Sequence, residues 1–201
     1  MKRQILAPFA VILVAALSGY THQSPERISS LLRPGMQLVY GSGVNQSPMI
    51  VDSVSHDTTL GGRSGCVRIR QRASRPDAVL ETRAYCSDAM LMYTWDDTSS
   101  SPRASRPLRS GDSLRVSLRN GGSAVFTTTI AAAETISARV VRVIPTTVLT
   151  RDSTGRVIRR LTERFSIGLA TATGGVFEVP DSTQVGGWRV TQRFELTAIR
   201  P

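Results

Sequence analysis

The sequence predicts an all-β fold, mainly antiparallel, built as a sheet, sandwich or open barrel behind one short N-terminal helix. Three observations point there. From Trp188 to Ala198 the chain alternates: Trp188, Val190, Gln192, Phe194, Leu196 and Ala198 fall on one face, and Arg189, Thr191, Arg193, Glu195 and Thr197 on the other. Period-two alternation over eleven residues marks a half-buried strand. Leu114, Val116 and Leu118 alternate likewise before Asn120-Gly121, the strongest short hairpin signal, and Val125-Phe126 open the return strand. Beyond Met36, helical spacing gives way to strand-like runs separated by turns.

The elements follow in chain order. Ser24-Pro25-Glu26 reads as a helix start, with a capping serine, proline at the first helical position and glutamate in the first turn. Ile28, Leu31 and Leu32 then share one helical face until Pro34-Gly35 ends it. So short a helix must dock on something to persist. Strand-like runs cover 36–40, 48–55, 65–72, 79–86 and 89–95, then 136–150 and 156–169 around the turn Asp152-Ser153-Thr154-Gly155. Pro145 divides the long run or places it at a sheet edge. Val176–Val179 is a short strand closed by Pro180. The Pro/Ser-rich stretch 96–110 reads as a flexible surface loop within a single β domain, 36–201.

With 201 residues, 40% of them hydrophobic and 20% charged, the chain is globular, and one domain suffices. Two cysteines exclude a disulfide-dense miniprotein and a Cys-rich zinc module. Residues 1–18 carry the three parts of a secretory signal: a basic head at Lys2-Arg3, an apolar run Ile5–Leu17, and the small pair Ala16 and Ser18. That run of 13 residues falls short of the roughly 20 needed to span a bilayer. Cleavage after Ser18 is expected, with the product periplasmic or secreted, a short segment 19–35 ahead of the β domain, and no transmembrane segment left; a retained anchor is the alternative. The formal charge of +10, less Lys2 and Arg3, becomes +8, and every remaining basic residue is arginine. So complete a bias reflects codon choice in a GC-rich genome, which discounts the charge as a sign of specific nucleic-acid binding.

Cys66 and Cys86 flank a hairpin whose symmetric pairing about residue 76 sets them opposite each other. In an exported protein this favours a cross-strand disulfide, contributing roughly 3 kcal/mol by loop closure; two buried thiols are the alternative. The chain carries no nucleophile elbow, P-loop, paired zinc-ligand motif or calcium loop. His56 beside Asp57 sits in a polar stretch that reads as solvent-facing, and Asp96-Asp97 reads as a solvated turn. No catalytic residue, metal or cofactor is expected. Arginines do show order: Arg68, Arg70 and Arg72 alternate on one strand face, Arg156, Arg160 and Arg164 share another, and Arg189 and Arg193 a third. Aligned, such faces would attract anionic envelope polymers.

Leu32-Arg33-Pro34-Gly35 leading to Val39-Tyr40, the aromatic stretch Met90–Trp95, Pro107-Leu108 with Gly111, and Gly174-Gly175-Val176-Phe177 through Pro180 occur in that order. Together they resemble segments of uncharacterised bacterial exported cell-envelope proteins with a lipoprotein-carrier-like antiparallel half-barrel. The resemblance spans most of residues 31–199. It implies a curved sheet, half-barrel or open barrel covering an apolar cavity, and a non-catalytic module that binds an apolar or amphipathic envelope ligand. Tyr93, Trp95, Phe165, Trp188 and Phe194 are the aromatics expected at that ligand.

Overall fold

The structure is a computed structural model that describes residues 27–41, 46–75, 77–88, 90–96 and 103–201. The expected signal segment 1–18 and the Ser24–Glu26 start of the expected helix lie outside the described residues. Strands are β1 (Gln37–Tyr40), β2 (Ser47–Leu60), β3 (Arg63–Ala73), β4 (Glu81–Ser87), β5 (Leu91–Asp96), β6 (Arg103–Pro107), β7 (Ser113–Ser117), β8 (Ser123–Thr128), β9 (Ala132–Ile136), β10 (Arg139–Arg151), β11 (Val157–Ser166), β12 (Thr171–Pro180) and β13 (Trp188–Arg200).

Twelve of them form one continuous antiparallel path, β6-β5-β4-β3-β2-β1-β13-β12-β11-β10-β8-β7, and β9 pairs with the first part of β10. The path curls until β6 lies against β7 and β8, giving a nearly closed barrel. The closure that is missing is the ladder between β6 and β7, although only residues 108–112 separate them. That connection is fastened at Thr128, whose amide donates to the Asp112 carbonyl (3.1 Å) and whose carbonyl accepts from Gly111 (3.0 Å).

The expected turns form where their residues call for them. Gly121 takes a φ of 80° while the Asn120 side chain accepts from the Gly122 amide (3.2 Å), closing the β7–β8 hairpin. The Asp152 carboxylate accepts from the amides of Thr154 (2.9 Å) and Arg156 (3.0 Å) between β10 and β11. Pro145 does divide its run. β10 pairs with β9 through Val143 and with β8 from Thr146, so the missing N–H falls at the changeover between neighbours.

Two expectations need correction. The part of the predicted helix that is described, Ile28–Leu31, is a set of turns with Ser29 at a φ of 58°. A two-turn helix is costly to nucleate, and here the backbone has better partners: the amides of Ser29 and Leu31 donate to the carbonyls of Ile167 and Gly168 at 2.9 Å each. The docking was expected, and Ile28 and Leu32 are buried, but without the helix. Within the stretch 96–110, expected as a flexible loop, residues 103–107 form β6, with Arg106 and Pro107 buried. An edge strand tolerates the proline that made the segment read as loop.

The core sits inside the barrel. Leu38, Val51, Val67, Ile69, Met92, Phe165 and Leu196 point inward from the walls. The same core takes in Ile28, Leu32 and Met36 together with Ile136, Val141 and Val143 of the β9–β10 hairpin. A second, small cluster lies on the outer face, where Cys66, Ala84, Cys86 and Trp95 pack with Leu60 and Tyr93. Val67 pairs with Tyr85 and Gln71 with Glu81, the register that sets the two cysteines opposite each other, and the Cys66–Cys86 disulfide is formed.

Candidate functional site

Alternation decides which side chains face the barrel lumen, and several strands place polar residues there. On β4 the inward set is Glu81, Arg83 and Tyr85; on β11 it is Glu163 and Phe165; β6 contributes Arg106. With Leu38, Tyr40, Met49, Met92, Ala172 and Phe194 they line a cavity of about 610 Å³. That volume lies within the range of small-molecule sites, and the lining joins aromatic and aliphatic surface to a few convergent polar groups.

Arg106 is the most constrained of these groups. It reaches across the lumen from the edge strand to Glu163 on β11, Nη1 to Oε1 2.9 Å, with both side chains 10% exposed. Its guanidinium carbon lies 3.8 Å from the centroid of the Phe165 ring, so the cation is stacked as well as paired. Neither Nε nor Nη1 has an aligned hydrogen-bond acceptor among the described residues. Burial pulls the Arg106 pKa down, against the opposing pull of Glu163 and Tyr85. Tyr40 is the neutral counterpart. Its hydroxyl contacts Thr171 Oγ1 (2.9 Å) and donates to the Ala172 carbonyl (3.1 Å), while burial pushes its pKa up against that hydrogen bond. Arg83 meets Glu81 at 3.0 Å on the more exposed side of the cavity.

The five aromatics expected to line a ligand site are not brought together. Phe165 and Phe194 line the cavity. Gly175, the cross-strand partner of Phe194, makes room for its ring: a Cβ there would come within 2.7 Å of it. Tyr93 and Trp95 instead face outward in the disulfide cluster, Tyr93 beneath the Arg63 guanidinium at 3.7 Å. Trp188 is also outside, with Arg160 stacked on it at 4.2 Å. The unbroken alternation read along β13 is interrupted by two bulges, one opposite Phe177/Glu178 and one opposite Val39/Tyr40. Each slips the face by one residue. Trp188 and Val190 therefore lie on the opposite face from Phe194 and Leu196, and Ile199, not Ala198, is the next buried position.

The arginine faces divide as well. Arg68, Arg70 and Arg72 are exposed side by side on the outside of β3, flanked by Ser53, Ser55, Thr82 and Ala84; Asp52 approaches Arg72 at 3.9 Å. By contrast Arg160 is bound by Glu178 through two hydrogen bonds of 2.6 and 2.9 Å, and Arg164 is held between Glu134 and Glu195. Arg156 lies exposed in the β10–β11 turn, and Arg189 is paired with Asp181 at 3.3 Å. His56 is exposed on β2.

The Arg160 pair sets a pH dependence. The hydrogen bonds from Arg160 hold the Glu178 carboxyl below its ordinary range, against a smaller opposing effect of burial. A depressed folded-state value means that the pair stabilises the fold fully above the ordinary carboxylate pKa of about 4.3, and that this is lost as pH falls through the lower folded value. Glu178→Gln is expected to cost about 0.5–1 kcal/mol at neutral pH in urea unfolding. The difference from the parent chain should shrink towards zero as the titration is carried into acid.

Part of this site was readable in advance. Glu163 shares the face of Leu161 and Phe165, and an acid on an apolar face at period two is a signal in itself. Arg106 carried none, because its strand is short and bounded by serine and proline. Comparison of the chain with protein-family models, curated proteins and solved structures finds no match.

Proposed function

We propose that this chain is a non-catalytic binding module of the cell envelope that holds an amphipathic ligand inside its barrel. The observation that carries the reading is the cavity of about 610 Å³, lined by both apolar and polar groups. Export is supported by the disulfide, a bond that persists in oxidising compartments. Among the described residues no helix is long and apolar enough to cross a membrane.

The neutral fluorophore N-phenyl-1-naphthylamine tests the reading. Saturable, one-to-one fluorescence enhancement is expected with the unmodified protein, and its loss in Ala172→Phe and Met49→Trp, which fill the cavity from two walls. Circular dichroism reports which variants are folded. An unmodified protein that gives no enhancement overturns the reading, and so does undiminished binding by a folded variant.

A second reading has one observation in its favour, the exposed Arg68, Arg70 and Arg72 strip, which could dock on anionic envelope polymers. Binding to such a polymer would weaken steeply with added salt, whereas occupancy of the cavity by a neutral probe would not.

A further inference from the structure

The chemistry of the cavity narrows its ligand, an inference that rests on the reading above. Arginine carries five N–H donors in a planar fork. In Arg106 the fork is nine-tenths buried, its face is covered by Phe165, and its protein partner Glu163 approaches one nitrogen. Nε has no acceptor among the described residues. A buried charged donor without an acceptor is costly to keep, and two of the acceptors that line the cavity are already committed. Tyr40 is engaged with Thr171 and Ala172, and Glu81 with Arg83. The arrangement is that of a cation held ready by stacking and a single acid, with an edge left for a second anion.

We propose that the ligand is a single-chain amphiphile with a carboxylate head, bound head-inward so that the carboxylate meets the unpaired edge of Arg106 and the chain lies along Leu38, Met49, Ala172 and Phe194. A carboxylate is planar and matches the guanidinium edge in a two-point contact. It brings one negative charge to a lining whose two arginines are already balanced by Glu81 and Glu163. A phosphate monoester would bring close to two in the same space.

Displacement of N-phenyl-1-naphthylamine from the unmodified protein by dodecanoate, dodecanol, dodecyltrimethylammonium and dodecyl phosphate tests the inference. Dodecanoate is expected to displace the probe at a concentration lower than the other three by about tenfold or more. Arg106→Met combined with Glu163→Met replaces the pair by apolar side chains of similar reach. It is expected to lose the preference, read as the ratio of the dodecanoate and dodecanol displacement midpoints so that any change in probe affinity cancels. Equal competition by the four, or preference for the cation or the phosphate, overturns the carboxylate assignment while the binding reading stands. A preference that survives in the folded double variant overturns the role of Arg106. Failure of the probe itself to bind the unmodified protein is the separate failure of the binding reading.

Discussion

Glu163→Ala is expected to destabilise the fold by about 3–5 kcal/mol, because it strands the Arg106 guanidinium in the lumen without an anion. The pair is 2.9 Å apart and each side chain is only 10% exposed, so water compensates poorly for the missing carboxylate. Against a total stability of about 5–15 kcal/mol for a domain, this is a large fraction. Replacing both partners with methionine is expected to recover most of the loss, since a buried pair exchanged for apolar volume is often neutral. Urea titration of the three chains checks this. A Glu163→Ala midpoint close to that of the parent would show that the lumen is wetter around Arg106 than its burial indicates.

Removing the disulfide is the second large effect. Cys66 and Cys86 close a loop of sequence separation 20, and Cys66→Ala with Cys86→Ala is expected to cost about 3 kcal/mol. For a chain of this size that corresponds to roughly 6–12 °C in Tm. Calorimetry of the parent with and without reductant, beside the double alanine variant, measures it. The bridge lies on the outer face with Trp95, whereas the cavity lies on the inner face of the same strands. The folded variant is therefore expected to bind the neutral probe as the parent does. A loss of less than about 1 kcal/mol would mean that the unfolded chain is already restrained near this hairpin.

The contrast between those two sites marks what was legible in the residues. Class, antiparallel pairing, the hairpin at Asn120-Gly121 and the opposed cysteines all depend on contacts between chain neighbours, and local pattern reports them. Trp188 was misplaced because a bulge leaves no trace in an alternating sequence; the partner strand decides where the extra residue goes. The helix at Ile28 failed for a similar reason, since the carbonyls that capture Ser29 and Leu31 lie far along the chain, on Ile167 and Gly168. Arg106 is the extreme case. Its strand was hidden by composition, and its partner Glu163 is brought to it only by the curl of the whole sheet. Glu81, Arg83 and Tyr85 alternate plainly on β4, but a polar inward face acquires meaning only once the barrel has an inside.

The pairing of β1 with β13 has a consequence for how the molecule is made. Strands β1 to β6 can assemble by successive hairpins, and β7 to β12 from strands close in the chain, with β9 folding on the first part of β10 before the rest of β10 reaches β8. The two meanders are joined through a single seam, and that seam needs Trp188–Arg200 to meet both β12 and β1. A chain delivered N-terminal end first, from a ribosome or through a translocation pore, therefore carries two half-walls with bare edges until its thirteenth strand emerges. Non-local closure of this kind is slow. It also keeps the lumen from existing until β13 is in place, so the cavity is the last part of the fold to form.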